Sequence, residues 1–295
     1  MLFDVVAAFA WGVAVAVLAN HLVRPVLAGP AFHRTNYRGA GVVVGSGLVL
    51  VVTVLVSAAV GTVLSIATPT PVARLVEVIA SCATAIVPVV GFAFVGLLDD
   101  LAATGDTRGF RNHVRSVARG ELSTGAIKLF GGAALSLWWV AGSHSYGHGA
   151  GALWLLLDAA LVALMANVGN LFDRAPGRTL KLSALVFVGI SIALLEQGWR
   201  TETAYLPFVL GIVVVLMPDD VRERSMLGDT GSNALGAIAG FALLELGRPV
   251  RTAALAVVVL LNLASERVSF SRVIDQRRPL RWLDRLGTVD ERKRT

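Results

Sequence analysis

The sequence predicts an all-α, polytopic integral membrane protein, and three observations predict it. Apolar residues make up 55% of the chain and charged residues only 16%, against roughly 25% charged in a soluble domain. The apolar residues gather into long runs, close to the roughly 20 residues that cross a bilayer as one helix. The lysines and arginines alternate between successive loops, as they do in inserted proteins.

Nine apolar runs are expected to span, at residues 2–23, 40–67, 75–98, 122–142, 151–169, 180–196, 203–217, 230–247 and 251–270. The seventh and eighth are short, so nine carries a margin of one. The first run has no basic stretch before it and no cleavage site after it, which predicts a retained helix rather than a signal peptide. No repeat or low-complexity tract is evident, and no polar stretch approaches the roughly 50 residues of a small inserted domain. Residues 1–270 therefore read as one transmembrane domain. Residues 271–295 read as a basic amphipathic tail, in which Trp282 and its flanking arginines are expected to lie on the inner leaflet. A single cysteine, Cys82, excludes a disulfide framework within the chain and a cysteine metal cluster.

Charge sets the orientation. Twenty-two of the 26 lysines and arginines follow odd-numbered helices, and only Arg74, Arg200, Arg248 and Arg251 fall on the other side. The positive-inside rule then puts the N-terminus outside. The same bias accounts for a sequence pI near 10.2 without nucleic acid, so no nucleic-acid partner is expected. Three acid-bearing loops, at Asp99, Asp173 and Asp229, all follow odd-numbered helices. They are expected to share one cytoplasmic cleft.

Each loop has a chemical reading beside a structural one. Asp99-Asp100 closes the apolar run Val87 to Leu98. Adjacent carboxylates repel, and a divalent cation with a general base would relieve them; a solvated helix end is the plainer alternative. Arg111, Arg115 and Arg119 recur every four residues and form a basic face suited to a lipid phosphate, or to ordinary inner-leaflet charge. His113 sits on this stretch as a candidate ligand or base. Lys128 lies a turn or two inside the fourth run, where it must snorkel or find an anion. Asn167, Asn170 and Asp173 share a helix face and could read a base or ribose or help hold a metal; capping is the alternative. Arg174, Arg178 and Lys181 add charge that suits a diphosphate. Gly228-Asp229-Thr230-Gly231-Ser232 can bring amides and a carboxylate close to a phosphate and its metal. Asp158, inside the fifth run, is expected to meet another helix.

Together these stretches resemble the polyprenyl-phosphate N-acetylhexosamine-1-phosphate transferases, the family of the MraY and WecA enzymes. The resemblance runs from about Asn36-Tyr37-Arg38-Gly39 to Gly240. It is carried by Gly96-Leu97-Leu98-Asp99-Asp100, Arg108-Gly109-Phe110-Arg111 with Thr124-Gly125 to Lys128, Asn167 to Asp173, and Leu227 to Ser232. It implies a helical fold in the bacterial inner membrane and Mg²⁺-dependent transfer of a sugar-1-phosphate from a UDP-sugar to a polyprenyl phosphate, with release of UMP. It further implies Asp99 as base or orienting group for the lipid phosphate, Asp100 and Asp229 beside the metal, Lys128 on phosphate, and Asn170 and Asp173 at the nucleotide. A homodimer is one expected assembly. The sequence departs from the family in two places. Arg174 follows Asp173 where glycine is usual and no second acid comes close behind, and no histidine lies beyond His148. These departures leave the donor sugar open and keep two other readings in view: a paralogue that binds, flips or senses polyprenyl phosphate without turnover, and a secondary transporter.

Overall fold

The computed structural model describes residues 1–35, 39, 41–67, 73–102, 124–144, 146–147 and 150–288. It is a helical bundle. Helix α1 is Leu2–Leu27, α2 is Leu48–Ala67, α3 is Ala73–Ser81 and α4 is Phe92–Ala102. Then follow α5 (Thr124–Ser143), α6 (Ala150–Phe172), α7 (Arg178–Gln197), α8 (Tyr205–Val221), α9 (Gly228–Leu243) and α10 (Arg248–Ser265), and two short helices, α11 (Phe270–Gln276) and α12 (Arg278–Arg285). Among the described residues, eight helical stretches are long and apolar enough to cross a membrane. One of them, residues 74–102, comprises α3 and α4 joined by a 3₁₀ turn and a π-turn containing Pro88, a residue that cannot continue a regular helix.

Eight of the nine apolar runs correspond to these stretches; the eighth, 230–247, is α9, whose 16 residues are not among them, and the second is shorter than expected. The second run starts at Leu48 rather than residue 40, because Gly41–Val44 is a strand. Three consecutive valines suit an extended, pleated backbone, and Gly45, at φ +90°, turns the chain out of it. That strand, β2, pairs antiparallel with β1 (His33–Thr35) and parallel with β3 (Ser225–Met226). The ladder continues as Ser46 N–H donates to Met226 O at 3.1 Å and Gly47 N–H to Leu227 O at 3.2 Å. The small sheet thereby fixes the chain just before α9.

Helix α9 is the centre of the bundle. It has 16 residues, and nearly all are buried against α6 and α4. Its sequence, rich in Gly, Ala and Ser, lets neighbouring backbones come close; a side chain at Gly236 would collide with the Met165 backbone. Trp139 of α5 stacks on Phe241 of α9 with centroids 3.7 Å apart. Around this core α1 packs along α8, α2 on α3, α7 on α8 and α10 on α6. The outside is apolar: Leu22, Val63, Leu185, Leu260 and Leu263 are each more than half exposed, a surface that belongs in hydrocarbon rather than water. The protein is therefore a multi-pass membrane protein.

The residues after α10 are folded back onto the bundle. Phe270 stacks on Phe172 at 5.5 Å, and Asp284 pairs with Arg178 at the start of α7.

Candidate functional site

Asp100 ends α4 facing the first turn of α9. Its Oδ1 accepts from Asp229 N–H at 2.9 Å, and its Oδ2 accepts from Thr230 N–H at 3.0 Å and Thr230 Oγ1–H at 2.6 Å. The first amides of a helix lack intrahelical partners and carry the positive end of its dipole, so a carboxylate there is well placed. The cap comes from a residue more than a hundred positions away. Two glycines allow the approach. Gly228 has φ +68°, and a side chain on it would run into the Asp100 carboxylate. A side chain at Gly96 would collide with the Asp229 backbone. Asp100 was expected beside a metal; in this structure its two oxygens accept from the first turn of α9, which ties it to the backbone of Asp229.

Asp229 projects from that turn to a cluster drawn from four helices. Lys128 of α5 hydrogen-bonds the Asp229 carboxylate and stands 3.6 Å from Asp99 of α4. Asn170 of α6 completes the ring: with its side-chain amide turned so that both ends are satisfied, the nitrogen donates to Asp229 Oδ1 at 2.7 Å and the oxygen accepts from Lys128 Nζ at 2.6 Å. Lys128, Asp99 and Asp229 keep 18%, 24% and 21% of their side-chain surface exposed, so a ligand can reach them. One end of the bundle thus brings together Asp99, Lys128, Asn170 and Asp229, all expected from the sequence.

Asp173 follows in the turn between α6 and α7. It keeps some exposed surface, yet protein surrounds most of it. Burial holds its carboxyl well above the usual carboxylate range, and the neighbouring acids Asp220, Asp229 and Asp100 push it further the same way, against a hydrogen bond with Thr179. Asp220 was not assigned a role from the sequence. It is 4% exposed, and its two oxygens accept from Gly177 N–H at 2.5 Å and Leu227 N–H at 3.3 Å. It ties the Asp173 turn to the segment entering α9. The signal that could have found it is an acid one residue beyond Pro218-Asp219 at the end of an apolar helix.

Two further expected ligands, Arg178 and Asn167, have partners within the chain itself. Arg178 is buried and forms a two-pronged pair with Asp284, Nε to Oδ1 at 2.7 Å and Nη2 to Oδ2 at 2.8 Å, with Nη1 donating to Ser271 Oγ at 2.9 Å. Its fork is filled by a carboxylate of the chain itself rather than left open for a diphosphate. Asn167 donates to Asn262 Oδ1 of α10 at 2.6 Å. Arg174 is exposed at the turn. Arg111 and His113 lie outside the described residues, as do Asn36 to Arg38 and Arg108 to Phe110.

The donor set can be tested against Mg²⁺. That ion commonly takes one or two carboxylates and completes its shell with water and substrate phosphates. Among the described residues no group of three or more His, Cys, Asp or Glu side chains is arranged around a single point. Asp99 and Asp229, however, already share a cation, the Lys128 ammonium. A two-carboxylate site fits these residues, with Asp229 and Asp99 as the ligands.

The opposite end of the bundle is held by structural pairs. Arg74 is paired with Asp4 at 2.6 Å. Asp158, expected to meet another helix, accepts from Tyr146 at 2.7 Å and from Arg251 of α10 at 2.9 Å.

No protein-family model matches the chain. A phospho-N-acetylmuramoyl-pentapeptide-transferase of Synechococcus sp. (strain CC9605) is 28% identical over 167 residues, covering 52% of this chain and 46% of that protein. The chain thus spans about half the length of the curated relative it matches.

Proposed function

We propose, from the premise that this chain resembles the polyprenyl-phosphate N-acetylhexosamine-1-phosphate transferases as a divergent member, that it transfers a sugar-1-phosphate from a UDP-sugar to a polyprenyl phosphate. The products are a polyprenyl-diphospho-sugar and UMP. The observation that carries this reading is the ring of Asp99, Lys128, Asn170 and Asp229 at the capped end of α9. The homologous transferase supports the reaction class; the sugar stays open. On the positive-inside reading, the ring faces the cytoplasm of a bacterial cell, where UDP-sugars are found.

The reaction joins two anions, so positioning and charge neutralisation outweigh covalent work by the protein. An oxygen of the lipid phosphate forms a bond to the phosphorus that carries the sugar, and the bond from that phosphorus to UMP breaks. A phosphate monoester has a second pKa near 6, so at neutral pH the nucleophile is already ionised. Asp99 then orients the lipid phosphate and need not remove a proton. Lys128 balances charge on the transferring phosphoryl group. Asn170 and Asp173 border the nucleotide. Asp229 and Asp99 would hold Mg²⁺, which would supply further neutralisation of the diphosphate. Asp100 holds Asp229 in place through the α9 amides.

The second reading is a paralogue that binds the lipid without turnover. It is favoured by Arg178, which is occupied by Asp284, and by Arg174 in the place of the family's glycine. One experiment separates them: UMP release by the purified protein with polyprenyl phosphate, Mg²⁺ and a panel of UDP-sugars, each with and without lipid. Lipid-dependent UMP with one sugar establishes the transferase and names its donor. Silence across the panel from protein that still binds the lipid rejects it in favour of the non-catalytic binder.

A further inference from the structure

The hairpin of α11 and α12 carries surface that the bundle does not use. Its inner side is clamped: Asp284 grips Arg178 from two directions, Lys181 Nζ donates to Asp284 O at 2.5 Å, and Phe270 stacks on Phe172. Its outer side is apolar and basic at once. Val273, Leu280, Trp282, Leu283 and Leu286 are 37%, 43%, 65%, 51% and 43% exposed. Arg272, Arg277, Arg278 and Arg285 are exposed among them.

Three observations name what covers this face. The apolar row on the outside of α10, Val257, Leu260 and Leu263, is the kind of surface that meets lipid tails, and it continues through exposed Val268 to Val273 of the hairpin. The hairpin begins five residues after α10 ends, at the level where hydrocarbon gives way to headgroups. A tryptophan beside long cationic side chains suits that level, because each has an apolar body and a polar end. The arginines outnumber the acids, and Asp284 is already paired, so the charge complements anionic headgroups rather than neutral ones.

We propose that the α11–α12 hairpin docks on the anionic headgroups of the leaflet at the candidate site's end of the bundle. It goes beyond the proposed transferase activity and draws on that reading only for naming this leaflet the inner one. Asp284 grips the residue directly after Gly177, so a leaflet that holds the hairpin also steadies the Asp173 turn.

The test uses the full chain with one nitroxide label at Trp282→Cys in a Cys82→Ala background, and a second version at Leu283→Cys. Each is placed in nanodiscs of phosphatidylcholine alone or with phosphatidylglycerol added. Accessibility to oxygen reports lipid, and accessibility to a water-soluble nickel chelate reports water. With phosphatidylglycerol the label is expected to be open to oxygen and shielded from nickel. Arg278→Gln and Arg285→Gln should each weaken the docked state about fivefold, as one arginine near an anionic surface contributes about 1 kcal/mol. Equal nickel access in both lipids at both positions overturns the proposal. So does shielding from both reagents that grows with protein density, which would make a second copy the occupant. None of these readouts requires turnover, so a protein that releases no UMP leaves the result intact.

Discussion

Asp100 caps the helix that carries Asp229: the Asp100 carboxylate takes the backbone amides of Asp229 and Thr230 and the Thr230 hydroxyl. A carboxylate accepting from a helix N-terminus can stabilise by about 1 kcal/mol, and leaving charged-acceptor bonds unmade costs about 1–3 kcal/mol. Asp100→Ala is therefore expected to lower the thermal midpoint in detergent and to reduce turnover together. Asp100→Asn, which keeps one acceptor, should fall between. An Asp100→Ala protein with unchanged melting but no turnover would instead put Asp100 among the groups that touch metal or substrate.

Asp229 stands the other way round. Asp229→Asn is expected to leave melting close to the parent and to cut Mg²⁺-dependent UMP release by about 10²–10³, the range for removing one preorganised charge-stabilising group. Lys128→Met should reduce release on a similar scale. Full activity in Asp229→Asn rejects the ligand assignment outright.

Asp173 gives a pH dependence with a definite sign. Its carboxyl is raised by burial and by the acids around it, so the unfolded chain loses this proton at lower pH than the folded protein does. Over the window above the ordinary carboxylate value, the folded state binds more protons, and stability falls as pH rises. Asp173→Asn should flatten that fall and melt higher than the parent at neutral pH. Added Mg²⁺ should narrow the gap, since a bound cation offsets the same repulsion. Identical melting-versus-pH curves for the two proteins would show that the Asp173 carboxyl is not raised.

Arg178 and Asp284 should behave as a structural couple. Removing one partner of a buried ion pair leaves an uncompensated charge and costs about 3–5 kcal/mol. Arg178→Ala and Asp284→Ala are each expected to destabilise on that scale, and the double variant should cost less than the sum of the two. If Asp284→Ala is harmless while Arg178→Ala loses only substrate affinity, Arg178 binds phosphate after all.

The sequence made the ring legible for a physical reason. Asp99, Lys128, Asn170 and Asp229 are polar groups at or just inside the ends of apolar helices, where each demands a partner, and the charge bias put their loops on one face. The partners of Arg178, Asn167 and Asp220 were not legible. Asp284, Asn262 and the Gly177 and Leu227 amides lie far away in sequence or belong to the backbone, and no local pattern announces them. The same limit hid the sheet: Gly41–Val44 reads as apolar, and only pairing with His33–Thr35 and Ser225–Met226 makes it a strand. Only the family resemblance told Asp100 from Asp99 in the sequence; in the structure helix phase separates them, turning one toward Lys128 and the other toward the α9 amides.

The cap on α9 comes from α4, so the two helices behave as a single strut, braced again where Gly96 lies against the Asp229 backbone. Neither can tilt away from the other without stripping the cap. The part of the ring left with the most freedom is then the long alkyl stem of Lys128. Its ammonium can swing aside as a gatepost while the strut keeps Asp229 still.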